Sequence, residues 1–216
     1  MKHTILRCAA GLLIAAALLP TALAAEAEIP YIPQTVPAAQ LAPADQRGQE
    51  DWQLLLVNPW HTVPEGYEIK LATLSNGLQV DERIYDDLDD MLSDCREAGL
   101  NPIVCSAYRT EATQTRLYRN KVARVRASGV PEDRVEAEAA RWVAKPGTSE
   151  HQTGLALDIV AAGYQILDEE QEDTAEQKWL MENSWKYGFI LRYPSEKSDI
   201  TGIGYEPWHY LSLIHI

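Results

Sequence analysis

The chain has 216 residues, with 46% hydrophobic and 24% charged residues, enough for one well-cored domain and tight for two. Its formal net charge is −13. An acidic surface of this kind argues against nucleic acid or anionic lipid as a partner, and its plainest consequence is solubility.

In chain order, Lys2, His3 and Arg7 precede an apolar run from Cys8 to Leu19, and Ala22-Leu23-Ala24 supplies a small-x-small cleavage pattern. Residues 1–24 therefore read as an export signal, with an uncleaved membrane anchor as the alternative. Removing them takes away Lys2 and Arg7 and no acid, which lowers the charge from −13 to −15. Residues 25–50, rich in Ala, Pro and Gln, read as a flexible linker.

The domain is expected over 51–210, beginning with a strand-like Trp52 to Val57 and an alternating stretch from Tyr67 to Leu71. Asn76-Gly77 signals a hairpin turn, with Leu78 to Val80 as the returning strand. Asp81 to Ala98 places Ile84, Leu88, Met91 and Leu92 on one helical face and stops at Gly99. Pro102 to Ser106 reads as a buried strand. Thr110 to Ser128 reads as a helix with Thr110 as N-cap, and Glu132 to Val143 as another. Leu155 to Val160 is a strand, Asp168 to Asp173 an acidic solvated loop, and Thr174 to Tyr187 a helix ending at Gly188. Trp179 and Trp185 on that helix read as packing residues. Phe189 to Arg192 and Trp208 onward are the last strands. Helices and strands without strict βαβ alternation point to an α+β fold. Cys95 and Cys105 either form a disulfide or remain buried free thiols.

Two blocks carry chemistry: Ser149-Glu-His-Gln-Thr-Gly-Leu-Ala-Leu-Asp158 and Glu206-Pro-Trp-His209. Asp158 lies among Leu155, Leu157, Ile159 and Val160, where a carboxylate is costly unless it is paired or metal-bound. The partner is either an arginine or a metal ion. Two imidazoles, one ligating carboxylate and one spare carboxylate suit a hydrolytic zinc site: His151, Asp158 and His209 hold the metal, and Glu206 acts as base. A non-haem iron triad uses similar ligands, but it has no need of a base at Glu206, and His151 and Asp158 are seven residues apart.

With Ser106-Ala-Tyr-Arg109 in front of them, these blocks resemble, in order, the VanY-type D-alanyl-D-alanine carboxypeptidases, over about 50–210. The resemblance implies the fold shared by D-Ala-D-Ala peptidases and the hedgehog signalling domain, a central antiparallel sheet flanked by helices. It also implies one Zn2+ on His151, Asp158 and His209, with Glu206 as catalytic base. Arg109 is implied as partner of the substrate's terminal carboxylate or polarised carbonyl, a task suited to a guanidinium fork, with a surface salt bridge as the plainer reading. Gln114 and Ser149 are implied substrate contacts, and the substrate is a peptidoglycan stem peptide or precursor. Related enzymes cleave an L,D bond in the tetrapeptide with the same metal set, and a non-catalytic wall-binding module on this fold is a further alternative. The protein is expected to be exported and monomeric, touching membrane only through an uncleaved N-terminal segment.

After Tyr210 the resemblance stops. Leu211 to Ile216 is the translation of CTG TCT CTT ATA CAC ATC, the end of a common sequencing transposon adapter, so 211–216 reads as an artefactual tail, against a genuine apolar terminal strand. An uninterrupted genomic reading through Ile216 to a stop codon would sink the artefact reading.

Overall fold

The computed structural model describes residues 55–213. The export signal over 1–24, the linker over 25–50, the domain start near Asp51, the first part of the strand expected from Trp52 and the last three residues of the tail lie outside the described residues.

Among the described residues, six strands and five α-helices follow in the order β1 (Leu71–Thr73), β2 (Gln79–Asp81), α1 (Tyr85–Glu97), β3 (Pro102–Ser106), α2 (Glu111–Ala127), α3 (Glu132–Ala140), β4 (Ala156–Ala161), α4 (Ala175–Asn183), β5 (Phe189–Tyr193), α5 (Ser198–Thr201) and β6 (Glu206–Ser212). Strands β1 and β2 form the hairpin, joined through Asn76-Gly77, with Gly77 at φ 84°, where a side chain is disfavoured. The other four form one antiparallel sheet in the order β3-β4-β6-β5. This is the α+β class with a central antiparallel sheet.

Several local expectations need correction. Leu55 to Val57 is not a strand, although Val57 is buried; the pairing near it is an isolated bridge between Asn58 and His61. The strand expected over Tyr67 to Leu71 forms later, at Leu71–Thr73. The helix from Asp81 begins as a 3-10 turn over Glu82–Ile84, because Asp81 caps that turn by accepting from the Arg83 amide. The helix to Tyr187 tightens into a 3-10 turn from Ser184. Trp185 is exposed, at 65%, and only Trp179 packs on the core. The acidic loop holds a 3-10 turn, Glu169–Asp173, pinned by the wholly buried Gln171, which donates to the carbonyls of Tyr164 and Ile166. Cys95 is buried, Cys105 is exposed, and both are free thiols.

Alternation along β4 decides where the site lies. Leu157 and Ile159 point to one face, where Ile84, Leu88, Met91 and Leu92 of the α1 region, Leu180 of α4, Phe189 and Tyr210 complete the core. Asp158 therefore points to the opposite face. Tyr210 closes the core end of that layer by donating its hydroxyl to Gln177, which in turn donates to the Ile159 carbonyl. Leu211 and Ser212 belong to β6, paired across to Ala156 and Phe189 respectively. A second, smaller cluster joins α2 and α3 through Val125, Val135 and Ala139.

Candidate metal centre and active site

The site is a row across the sheet. Ser106 of β3 is registered with Asp158 of β4, and Asp158 with His209 of β6. Directly registered residues project to the same face, so three of the implicated side chains meet without any loop. Two irregularities complete the row. The β3–β4 register shifts between Val104 and Ser106, which turns Ser106 toward Asp158. The β5–β6 register shifts between Leu191 and Tyr193. In a regular strand Glu206 and His209, three apart, face opposite ways. The two nevertheless meet in the irregular stretch of β6, with Glu206 Oε2 3.6 Å from His209 Nδ1.

His151 comes from a 3-10 turn, Glu150–Thr153, ahead of β4. Gly154 ends that turn at φ 72°, and a Cβ there would sit 2.9 Å from the Asp81 amide nitrogen. Only glycine allows this contact, in which the Asp81 amide donates to the Gly154 carbonyl. The hairpin is thereby clamped to the turn that carries His151. The Arg109 amide donates to the His151 carbonyl (3.0 Å), which fixes the other side.

His151 Nδ1 lies 2.8 Å from the Ala107 carbonyl oxygen. A carbonyl only accepts, so Nδ1 carries the proton and Nε2 is left to face Asp158 Oδ2 at 3.4 Å. His209 presents Nδ1 to Asp158 Oδ1 at 3.1 Å. One donor atom from each of His151, Asp158 and His209 lies within 4.8 Å of the others, and all three residues are buried. Tetrahedral zinc with ordinary Zn–N and Zn–O bonds separates its ligands by about 3.3 Å. The 3.1 and 3.4 Å spacings, one to each oxygen of Asp158, are of that order, and the donor set is the two-histidine, one-carboxylate kind that leaves a position open.

The electrostatics favour a cation at this point. Three buried carboxyls, Glu150, Asp158 and Glu206, face two arginines, Arg109 and Arg192. Burial pushes the Glu206 carboxyl up to about 8, against the pull of His209. Burial works to lower His209, but its bonds to Asp158 and Glu150 lift it to about 10. Burial also opposes ionisation of Asp158, yet His151, His209 and Arg109 hold it well below the usual carboxylate range. His151 is lowered by burial and by the neighbouring Arg109. With Glu206 protonated, the ionised Glu150 and Asp158 are balanced by the two arginines, and the further positive charge at this point is the proton on His209.

Arg109 donates through Nη2 to Asp158 Oδ2 (2.8 Å) and through Nε and Nη2 to Ser106 Oγ. Asp158 thus has the arginine partner and also the metal-compatible neighbours that its sequence context offered as alternatives. The surface salt bridge considered for Arg109 is in fact a partly buried one at the site. Gln114 is 1% exposed and donates to the Ala144 carbonyl, while its Oε1 is, among the described residues, the one buried side-chain polar atom without a partner. Ser149 is buried at the same cavity. That cavity, of about 810 Å³, is floored by the row on the sheet and walled by α2 through Gln114, Leu117, Lys121 and Arg124. The acidic segment supplies another wall with Asp168, Glu169 and Glu170, and Tyr205 and Trp208 line it as well. His61 stands apart, exposed and bonded to Asn58.

Sequence reasoning missed Glu150 and Arg192. Glu150 is 3% exposed; its Oε2 lies 3.1 Å from His209 Nε2, and its Oε1 accepts from Arg192 Nε at 2.6 Å. The available signal was an acidic residue between Ser149 and His151, both themselves singled out.

Residues 77–212 match the family model described as VanY, D-alanyl-D-alanine carboxypeptidase. The chain is 46% identical over 171 residues to a D-alanyl-D-alanine carboxypeptidase of Enterococcus faecalis (strain ATCC 700802 / V583), covering 79% of this chain and 62% of that relative. It therefore spans about three fifths of that relative's length. Among solved structures, the vancomycin-resistance D,D-pentapeptidase VanY from a VanB-type cassette, in complex with Zn(II), superposes with a TM-score of 0.68 at 44% identity, covering 75% of this chain and 88% of that one. The LD-carboxypeptidase LdcB superposes with a TM-score of 0.61 at 32% identity, covering 76% and 78%. With its matched region containing every residue of the row on the sheet, the chain belongs to the VanY family of D-alanyl-D-alanine carboxypeptidases.

Proposed function

We propose that this protein is a zinc-dependent D,D-carboxypeptidase that removes the terminal D-alanine from peptidoglycan stem peptides. The observation that carries this reading is the convergence of His151, Asp158 and His209 within 4.8 Å, with Glu206 beside them on the floor of a cleft. The relatives named for D-alanyl-D-alanine cleavage, and the one crystallised with Zn(II), support it.

His151 Nε2, a carboxylate oxygen of Asp158 and His209 Nδ1 would hold the metal. The chemistry supplied there by zinc is Lewis acidity toward the scissile carbonyl and toward water. Glu206 takes a proton from the attacking water at its carboxylate and passes it to the departing amine of D-alanine. Arg109 spends Nε and Nη2 on Ser106 and Asp158; a guanidinium has a second terminal nitrogen, Nη1, to offer the substrate's carboxylate or polarised carbonyl. The orphan Oε1 of Gln114 suits a substrate N–H, because a buried acceptor without a partner is otherwise costly. The Ser149 hydroxyl is a further contact for the peptide. Residues 1–24 direct export, so that the monomeric enzyme acts outside the cytoplasm; no described helix is long and apolar enough to cross a membrane.

The similarity to LdcB keeps L,D cleavage as the second reading, since specificity at a shared metal set is decided by the surrounding loops. Zinc-loaded protein is to be assayed on a pentapeptide ending in D-Ala-D-Ala and on the corresponding tetrapeptide. Release of D-alanine from the pentapeptide is expected. Cleavage of the tetrapeptide alone moves the assignment to the L,D class. Bound zinc with neither peptide cleaved sinks the enzymatic reading in favour of a wall-binding module.

A further inference from the structure

The two imidazoles of the site are held by acceptors of different kinds. His151 Nδ1 meets a neutral backbone carbonyl, that of Ala107, at 2.8 Å. His209 Nε2 meets a carboxylate, Glu150 Oε2, at 3.1 Å. Glu150 is itself fixed, since its other oxygen accepts from Arg192 Nε at 2.6 Å. Arg192 is fixed in turn: it lies on β5, with its guanidinium 5.1 Å from the ring of Tyr193, whose ring is 4.7 Å from that of His209. The two histidine rings meet edge to face at 4.9 Å and 87°.

Turning an imidazole over by half a revolution about Cβ–Cγ puts a carbon where each nitrogen was, and packing alone barely distinguishes the two orientations. A carboxylate at one nitrogen does distinguish them, because it requires a donor there. Such an acceptor on a metal-bound histidine also raises its basicity. A purely structural Glu–Arg pair has no reason to divide its two oxygens between the arginine and the histidine, and burying an ion pair is by itself a poor source of stability.

We propose that Glu150, anchored by Arg192, is a positioning residue for His209: it holds the proton on Nε2 and so keeps Nδ1 aimed at the metal position. One 3-10 turn then supplies both a ligand, His151, and the device that orients the other imidazole. This inference rests on the zinc reading above.

The test is the zinc affinity of the full-length protein, measured by competition with a chromophoric chelator, for wild type, Glu150→Gln, Arg192→Gln and His209→Ala. Glutamine at 150 keeps one of the two acceptor oxygens and presents an amide N–H in place of the other, at either His209 or Arg192. Glu150→Gln is expected to bind zinc about 10–100-fold more weakly, with Arg192→Gln intermediate. Wild-type zinc affinity in Glu150→Gln, accompanied only by lower thermal stability of the metal-free protein, overturns the proposal and leaves a structural ion pair. His209→Ala separates the two levels. If it too binds zinc like wild type, the ligand assignment fails; if it alone loses zinc, only the positioning role fails. A second measurement needs no variant. Histidine-ring 15N resonances of the zinc-loaded wild type are expected to show His209 protonated at Nε2 and metal-bound at Nδ1, and metal at Nε2 overturns the proposal.

Discussion

On the sheet face, Glu150, Asp158 and His209 are each 3% exposed or less, and each of the three has a partner at hydrogen-bond distance. In the lobe made by α2 and α3, the ion pairs stand in solvent instead. The side chains of Arg126 and Glu132 meet at 2.6 Å yet are 51% and 71% exposed, and Arg141–Glu138 and Lys145–Glu136 are similar. The lobe is held by a small apolar cluster, whereas the site rests on the main core. Charge removed from water must be matched in place, so a change there is costly and local. Charge left in water is screened and replaceable, so a close contact in the lobe says little about its worth.

The largest effect that tests this contrast is loss of the metal. His151→Ala and His209→Ala are each expected to lose both zinc and activity, read by metal analysis of the purified protein. Retention of stoichiometric zinc by either breaks the contrast at its centre. Glu206→Gln comes next: it should keep zinc, while turnover of the pentapeptide falls about 10²–10⁴-fold. Normal turnover removes Glu206 from its assigned role.

In the lobe, the wholly buried Val135 is the sensitive position. Val135→Ala should cost about 2 kcal/mol in denaturant unfolding, from lost burial and the cavity left behind, with zinc affinity unchanged. A smaller effect concerns pH in the metal-free protein. Burial holds the Glu206 carboxyl up at about 8, so the folded state binds that proton more tightly than the unfolded state does. The associated stability is full below the unfolded carboxyl's pKa of about 4.3 and is lost as pH rises through the folded value. Metal-free Glu206→Gln should therefore lose less stability than wild type as pH rises from about 4.3 to about 8, in thermal melts run across that interval. The smallest effect belongs to Arg126→Ala, which should leave the melting temperature within error of wild type. A clear drop there would show that the lobe's ion pairs matter more than their exposure implies.

Local chemistry made much of the fold readable. Pro102–Ser106 is a strand with the bounds its composition suggests, and Thr110 caps α2 by accepting from the Thr113 amide. The helix starts and ends that differ do so where a side chain caps early, as at Asp81, or where the last turn tightens, as at Ser184. Trp185 shows the limit of composition: a large aromatic can stand in solvent when its helix has already turned its apolar face inward.

The sequence by itself determined the donor types, because a carboxylate inside an apolar strand and two histidines in short motifs demand compensation wherever the chain goes. It also determined the strand that carries Asp158. Only the tertiary structure decided which side chains share a face. Regular alternation would separate Glu206 from His209, and they meet only in the irregular stretch of β6. Arg192 reaches Glu150 across 42 positions, and Glu150 reaches His209 across 59. Contacts of that kind are set by register and packing, which no local pattern encodes.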